Sequence, residues 1–203
     1  MNLEFLTVSL LVVASPGTGA AVTIATGLSR GARMAAVAAL GCTLGIVPHM
    51  LAAVTGLAAL LHASSLAFET VKYAGVAYLL HIAWTTWREQ GVLRIDPDGT
   101  DRSDWQVIRH AVLVNLLNPK LSMFFLAFLP QFISPDDAAP TASMLQLSAI
   151  FMAMTLGVFA LYGAFAARMR DRVLGSPTAM TWLRRGFAAT FVALGAKLAL
   201  TAR

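Results

Sequence analysis

Charge and cysteine are scarce in this chain, and both shortages narrow the classes of protein to which it can belong. Only 12% of its 203 residues are charged, 58% are apolar, and the mean hydropathy is +0.71. No soluble domain of this size needs so many apolar residues. The single cysteine, Cys42, excludes an internal disulfide, and its place in an apolar run predicts a small packing residue. The sequence therefore predicts an integral membrane protein.

Three further absences exclude other kinds of function. The net charge of +5 is not a nucleic-acid footprint, because the arginines fall in short connections between apolar runs. The acidic residues between positions 88 and 109 match no calcium-loop spacing and predict a solvated loop, so neither a metal nor a cofactor is expected. No nucleophile or metal-ligand set stands at a usable spacing, which argues against an enzyme.

Six apolar runs have lengths that suit helices crossing a bilayer. They cover residues 5–28, 34–61, 66–87, 111–133, 144–167 and 182–200. The connections after the first, third and fifth runs, together with Arg184 and Arg185 at the start of the sixth run, hold eleven arginines and are predicted to face the cytoplasm. Both termini then face outward if all six runs span, and a terminus changes side if the first or the sixth run is only re-entrant. We expect one transmembrane domain over residues 1–203, with halves at about 1–87 and 110–203 and a polar cytoplasmic loop at 88–109.

The fourth run carries three residues that are costly inside a membrane, Asn118-Pro119-Lys120. An ammonium group at mid-membrane costs at least about 3 kcal/mol on insertion scales. Pro119 removes a backbone donor and frees the carbonyl one turn earlier. In hydrocarbon these groups need partners from the protein or from a water-filled cavity, so the stretch is predicted to line the inside of a bundle. Asn115, three residues earlier, can share the face of Asn118. The alternative is a kinked packing helix in which Lys120 extends toward the membrane surface.

The first run has a similar break at Ser15-Pro16-Gly17. Pro16 and Pro119 are 103 positions apart in a chain of 203, so each break lies at the same place in its half. Broken helices at matching places in inverted halves point to a transport site at mid-membrane. The predicted fold is an all-α integral membrane protein with six transmembrane helices in two inverted three-helix repeats, and with helices 1 and 4 broken at mid-membrane. A chance pair of prolines is the alternative.

Two more titratable residues lie in or beside the runs. His49, in the second run, is either a neutral side chain bonded to a carbonyl or a group that carries a proton. Glu69 lies near the start of the third run, where it can pair with Lys72 at the membrane edge. In the second run, Gly41 and Gly45 form a pattern that lets a neighbouring helix approach closely.

Short motifs in a specific order extend over nearly the whole chain. They are the Pro16-Gly17 break, Gly27 to Gly31 with Arg30, the Gly41 and Gly45 span, Gly75-Val76-Ala77-Tyr78-Leu79, and Asn118-Pro119-Lys120 followed by Phe124-Phe125 and Leu129-Pro130-Gln131-Phe132. In these motifs the chain resembles the LysE/RhtB family of amino-acid exporters. It departs from the family at the first break, which usually reads Pro-Gly-Pro and here reads Pro16-Gly17-Thr18-Gly19.

The resemblance implies a six-span exporter in the bacterial inner membrane, driven by the proton gradient, for amino acids or related small zwitterionic solutes. The N-termini of half-helices suit a carboxylate, and Lys120 adds a point charge. Carbonyls freed at the breaks, with Thr18 and Asn118, suit an ammonium group. A neutral amino acid is favoured over lysine or arginine, because Lys120 repels a second cation.

The candidate residues form two sets. Substrate binding is assigned to Pro16, Gly17, Thr18, Asn115, Asn118, Pro119 and Lys120, and proton coupling to His49, Glu69 or Lys120. The expected partners are the amino-acid-like substrate and the lipid bilayer, and a homo-oligomer is left open. The alternative function is a passive channel for small solutes.

Overall fold

The computed structural model describes residues 3–15, 17–55, 103–134 and 137–174, with single positions between 73 and 88 and between 176 and 196. The regular elements in these four ranges are all helices. They are α1 (Leu3–Ala14), α2 (Thr18–Leu44), α3 (Val47–Val54), α4 (Asp104–Leu116), α5 (Pro119–Met123), α6 (Pro140–Arg168) and α7 (Arg170–Leu174). After α5 the chain continues through a π-helical segment, Phe124–Phe128, and a 3₁₀ turn, Leu129–Phe132. Most of the predicted third and sixth spans and of the polar loop lies outside the described residues.

By length and composition alone, two described stretches qualify as candidate membrane spans: Thr18–Val54, which is folded back on itself, and Pro140–Arg168. A third is added if α4 and the stretch Lys120–Phe132, which meet at a bend of 55°, form one span. Helix α1, with 12 residues, is too short to span alone. The class of all-helical membrane protein is confirmed, and the six-span inverted repeat stays a prediction.

The stretch from Thr18 to Val54 is not a straight rod, because it doubles back at Gly31. Gly31 has a φ of 85°, a backbone conformation that favours glycine. The Sγ atom of Cys42 donates to the carbonyl oxygen of Gly19 at 3.5 Å. A straight helix would hold those two residues about 35 Å apart. Residues 18–30 and 32–44 are therefore two antiparallel arms of α2, and the chain reverses within the connection predicted between the first two apolar runs, at residues 29–33.

Helix α2 ends earlier than the apolar run from 34 to 61 predicts. Pro48 has no N–H to donate to the carbonyl of Leu44. The N–H of Ile46 bonds to the carbonyl of Thr43 at 3.1 Å, three residues back, and α3 begins at Val47. As a result the carbonyl of Cys42 lacks its usual helical partner, the N–H four residues later.

Glycines set the distance between α2 and the helices that it contacts. A Cβ atom added to Gly41 would lie 2.8 Å from the carbonyl oxygen of Ile108 on α4, and one added to Gly45 would be almost as close to the α4 backbone. On the other arm, Gly27 lies directly against Gly163 of α6. The close approach predicted for Gly41 and Gly45 is confirmed, and α2 connects the two halves of the chain.

Buried and partly buried phenylalanines hold α1, the segment after α5, and α6 together. Phe124 stacks on Phe151 with 4.2 Å between the ring centroids. Phe5 of α1 lies edge-on to Phe132 at 5.3 Å. Because these rings come from three elements, their packing fixes the position of the break between α4 and α5 relative to α1.

Candidate substrate site

The two helix breaks meet, although 103 residues separate them in sequence. The ammonium group of Lys120, at the start of α5, donates to the carbonyl oxygens of Val12 at 2.9 Å and Ser15 at 2.8 Å. A Cβ atom added to Gly17 would lie 3.0 Å from the Nζ atom of Lys120. Pro16 lies outside the described residues. Lys120 is thus partly buried at the inside of the bundle, against the end of α1 and the start of α2.

The end of α1 is a set of backbone acceptors. The last carbonyls of a helix have no partner within it and carry partial negative charge. Besides the two bonds from Lys120, the Oγ of Ser15 donates to the carbonyl of Val12 at 2.8 Å. The hydroxyl of Tyr162, on α6, donates to the carbonyl of Ala14 at 2.6 Å. The sequence pattern did not single out Tyr162, and its one signal is a phenol deep in the fifth apolar run.

The start of α2, in contrast, is a set of donors without a cap. Gly17 is the N-cap residue and has no side chain to accept from the first N–H groups. The side chain of Thr18 is 2% exposed, and its hydroxyl has no hydrogen-bond partner among the residues that the structure describes. The uncapped start of α2 and the ammonium of Lys120 are neighbours, because the Nζ atom lies 3.0 Å from the position of a Cβ atom added to Gly17. Together they form a site that suits an anion.

The hydroxyl of Thr18 differs from those of the other buried threonines for a structural reason. Thr23, Thr43 and Thr155 each donate to the carbonyl four residues earlier in their own helix. Thr18 is the first residue of α2, so no helical turn precedes it. Its hydroxyl is therefore available to a group from outside the helix.

Asparagine amides hold the second break in place. The Oδ1 atom of Asn118 accepts from the backbone N–H of Lys120 at 3.1 Å, which caps α5. The amide of Asn118 donates to Asn115 Oδ1 at 3.0 Å, and the amide of Asn115 donates to the carbonyl of Cys42 at 2.6 Å. Both asparagines are buried. Pro119 follows Asn118 as the first residue of α5, where its missing N–H breaks no helical bond.

His49 connects α3 to both sides of the second break. Its Nε2 atom lies 3.2 Å from the carbonyl oxygen of Asn115, so Nε2 carries a proton, because a carbonyl only accepts. Its Nδ1 atom lies 3.4 Å from the hydroxyl of Ser122 on α5. The predicted bond from His49 to a carbonyl is confirmed, and its role in proton transfer stays a prediction. Glu69 lies outside the described residues.

The carbonyl groups at the ends of α1 and α4 have similar hydrogen-bond partners. At each break, the last carbonyls of the first half-helix accept bonds from side chains of other elements: Lys120 and Tyr162 at the end of α1, and His49 at the end of α4. No carboxylate of the described residues pairs with Lys120, and the ion pair seen among them joins Arg33 to Asp104 at 2.6 Å. Donors and acceptors for a small polar solute thus lie side by side where two broken helices meet. Broken helices that meet in this way point to a membrane transport protein.

The match to a known family extends over almost the whole chain. The model of the LysE type translocator family matches residues 10–202. The chain belongs to this family, as its motifs predicted, and is a bacterial membrane transport protein rather than an enzyme. No solved structure matches it.

Relatives with assigned activities include efflux proteins. The chain is 33% identical over 195 residues to the homoserine/homoserine lactone efflux protein of Salmonella typhi, covering 96% of this chain and 94% of that one. It is 27% identical over 169 residues to the leucine efflux protein of Enterobacter sp., covering 77% and 76%. An uncharacterized membrane protein of Vibrio cholerae is 32% identical over 200 residues, covering 97% and 95%.

Proposed function

We propose that this protein exports amino acids, or closely related small zwitterionic solutes, across the bacterial inner membrane. The observation that carries the proposal is the ammonium of Lys120 between the end of α1 and the uncapped start of α2. The relatives named as homoserine/homoserine lactone and leucine efflux proteins support amino acids and their close derivatives as the class of substrate.

The substrate carboxylate binds at the start of α2. Its oxygens accept hydrogen bonds from the free N–H groups after Gly17 and from the hydroxyl of Thr18. The ammonium of Lys120, which lies beside Gly17, supplies a full positive charge. A hydrogen bond to a charged group contributes about 1.5–3 kcal/mol. A hydrogen bond from the hydroxyl of Thr18 to the substrate stabilises the complex more than usual, because no described group of the protein bonds to that hydroxyl beforehand.

The substrate ammonium binds at the end of α1, on the carbonyl oxygens of Val12 and Ser15. An amino acid carries its two charged groups on one carbon atom, so the two subsites must adjoin. They do so across Gly17, where the chain passes from the end of α1 to the start of α2. Pro16 contributes by freeing backbone groups at this point.

Asn115, Asn118 and Pro119 support the site without contacting the substrate. The side-chain amides of the two asparagines are already bonded, to each other, to the backbone N–H of Lys120 and to the carbonyl of Cys42. We propose that they hold the break between α4 and α5 in place and thereby fix the position of the Lys120 backbone.

Of the three candidates for proton coupling we choose His49. With a second proton, its Nδ1 would donate to the hydroxyl of Ser122; without it, Nδ1 accepts from that hydroxyl, so neighbouring groups accommodate both forms.

In each transport cycle the proton binds to Nδ1 of His49 from the outside and is released to the cytoplasm. The two inverted halves, three spans each, rock about the paired breaks to expose the site to each side in turn.

Accumulation in inverted membrane vesicles tests the proposal. Vesicles that contain the protein should concentrate labelled homoserine or leucine when their interior is acidified, and a protonophore should abolish the accumulation. A passive channel would only equilibrate the solute across the membrane. His49→Gln keeps a donor for the carbonyl of Asn115 but cannot take up a proton at neutral pH. It should retain downhill entry and lose accumulation.

A further inference from the structure

We infer that Ser122 is a positioning residue, which transmits the protonation of His49 to the turn of α5 that carries Lys120. The consequence is that the substrate binds less tightly when His49 holds a second proton. The inference rests on the proposed function, in which His49 exchanges a proton for the substrate. It adds the residue through which the proton site acts on the substrate site.

The two breaks are joined by a reciprocal pair of bonds between the halves of the chain. Val12 and Asn115 each lie four residues before the proline of a break, so their carbonyls lack the N–H that would bond to them in a continuous helix. Lys120, of the second half, donates to the carbonyl of Val12 at 2.9 Å. His49, of the first half, donates to the carbonyl of Asn115 at 3.2 Å. Each half therefore holds the carbonyl that the proline of the other half leaves free.

His49 contacts both sides of the second break, one with each ring nitrogen. Nε2 keeps its proton and its bond to the carbonyl of Asn115 in both protonation states, because a carbonyl only accepts. The change on protonation is therefore confined to Nδ1, which lies 3.4 Å from the hydroxyl of Ser122. Neutral His49 accepts the hydrogen of that hydroxyl, whereas charged His49 donates to its oxygen. Uptake of the proton thus releases the hydrogen of the Ser122 hydroxyl.

The released hydrogen has an acceptor within α5. A serine or threonine in a helix often donates to the carbonyl four residues earlier, as Thr23 and Ser148 do here. For Ser122 that carbonyl belongs to Asn118. It already accepts the backbone N–H groups of Leu121 at 3.0 Å and of Ser122 at 3.3 Å, which are the bonds that form the first turn of α5. A third donor on this oxygen competes with both bonds.

Lys120 lies in this same turn. The side-chain oxygen of Asn118 accepts from the backbone N–H of Lys120 at 3.1 Å, so Asn118 holds the turn through both its backbone and its side chain. A change in the bonding of the Asn118 carbonyl therefore moves the backbone from which the Lys120 side chain extends. The ammonium is held between the end of α1 and Gly17, and its displacement alters the charge that faces the substrate.

The sign of the coupling follows from the direction of the transport cycle. An exporter that exchanges a proton for its substrate releases the substrate on the side where the proton binds, so each ligand must weaken the binding of the other. Linkage makes this effect reciprocal. Protonation of His49 should therefore lower the affinity for the substrate, and binding of the substrate should release a proton.

The described elements around His49 carry other titratable or charged side chains. They are Lys120 on α5, Cys42 on the adjoining end of α2, Tyr162 and Arg168 on α6, and Asp104, Arg109 and His110 on α4. Of these, only His110 is of a type that titrates between about pH 5 and 8. It is exposed and lies five residues before Asn115, about 7.5 Å along α4. His110 is therefore the matched histidine control.

Binding of homoserine at two pH values tests the inference. Calorimetry on the purified full chain in nanodiscs gives the dissociation constant at about pH 7.5 and about pH 5.5, a range in which histidine titrates. Homoserine is a zwitterion at both values. In the parent, the dissociation constant should be about tenfold higher at the lower pH. In Ser122→Ala, as in His49→Gln, the ratio of the two constants should fall to about one.

Four variants serve as controls. Ser122→Thr and Ser122→Val have the same shape and differ in the hydroxyl, so threonine should keep the pH dependence and valine should lose it. Ser148→Ala removes a buried hydroxyl that bonds within its own helix, and His110→Gln removes the exposed histidine of α4. Both should keep the ratio of the parent. The pair at position 122 replaces Ser122→Ala if that variant does not yield folded protein.

The outcomes separate the role of Ser122 from the proposed function. If His49→Gln removes the pH dependence and the variants without a hydroxyl at position 122 keep it, the proton acts by another route, and the inference is wrong while the proposed function stands. If Ser148→Ala lowers the ratio as much as Ser122→Ala, the effect belongs to any lost buried hydroxyl, and the inference is again wrong.

Two results for the parent decide the rest. If it binds homoserine equally well at both pH values, the inference and the choice of His49 for proton coupling are both wrong, but the substrate class stands. If it binds neither homoserine nor leucine, the proposed substrate class fails and the inference fails with it.

Discussion

At the scale of single residues, the bonding of a hydroxyl separates threonines that stabilise the helices from the one placed to bind a ligand. Thr23 and Thr43 satisfy their hydroxyls within α2, whereas Thr18, equally buried, does not. A buried hydroxyl without a partner lowers the stability of the folded state. Its presence at the uncapped start of a helix beside Lys120 is explained if a substrate group completes the bonding.

Thr18→Val should therefore weaken transport without weakening the fold. Valine has the same shape and lacks the hydroxyl, and no described bond is lost in the protein. Loss of one hydrogen bond to a carboxylate should raise KM about tenfold. The measurement is the concentration dependence of uptake into inverted vesicles, together with the melting temperature of the purified protein.

Thr23→Val is the matched control, since it removes a hydroxyl that donates to the carbonyl of Gly19. It should lower the melting temperature slightly and leave KM near the parent value. If Thr18→Val has the KM of the parent, the carboxylate does not bind at the start of α2.

That Lys120 and Asn118 lie inside the protein could be predicted from the sequence, because a charge and an amide in an apolar run have a high cost unless the protein surrounds them; that they serve a substrate site stays a prediction. The partners of Lys120 could not be predicted. They are backbone carbonyls of α1, and which helix ends meet depends on packing between distant parts of the chain. Tyr162 was missed for the same reason, since its hydroxyl bonds to a residue 148 positions away.

At the scale of elements, the breaks at both proline positions follow from local chemistry and were predictable. The start of α4 also follows from a local signal that hydropathy does not report. Ser103 and Gln106 form a capping box, with the Ser103 hydroxyl accepting from the N–H of Gln106 and the Gln106 side chain accepting from the N–H of Ser103. Helix α4 therefore begins at Asp104, seven residues before the apolar run that starts at Ala111.

Gly41→Leu should lower the folded yield sharply. Even a Cβ atom at this position would lie 2.8 Å from the backbone of α4, so a larger side chain must push the two helices apart. The separation would also disturb the bond from Asn115 to the carbonyl of Cys42, one residue away from Gly41. The measurement is the fraction of protein that remains monodisperse after extraction in mild detergent.

Gly157→Ala provides the comparison within the same protein. Nothing lies within 4 Å of a Cβ atom added to Gly157 of α6, so its folded yield should equal that of the parent. Equal yields of Gly41→Leu and the parent would mean that α2 and α4 do not pack through this face.

At the scale of the whole molecule, the two halves interlock through α2, which contacts both α4 and α6. The sequence predicted matching breaks in two halves but not which helices would touch, because interhelical contacts are set by packing that local patterns do not encode. The pairing of the breaks through Lys120 is consistent with inverted halves around a shared centre. The orientation in the membrane remains a prediction from the arginine count.

Cysteine labelling tests that orientation. Cys42 is fully buried, and replacing this only cysteine by alanine gives a background without thiols. Asp136→Cys should react with an impermeant reagent added outside intact cells, and Arg102→Cys should react only after the cells are opened. Reaction from outside at position 102 but not at 136 would reverse the orientation.

The measurement that tests the central claim most directly is the initial rate of amino-acid export by Lys120→Met from preloaded cells, at matched amounts of folded protein. Methionine has a similar length without the charge, and loss of a partly buried charge offsets the loss of its bonds to Val12 and Ser15, so the folded yield should stay near that of the parent. The account predicts that export falls steeply and that Lys120→Arg restores only part of it, since a planar guanidinium does not replace a compact ammonium. Export by Lys120→Met at the parent rate would contradict a transport site built around Lys120.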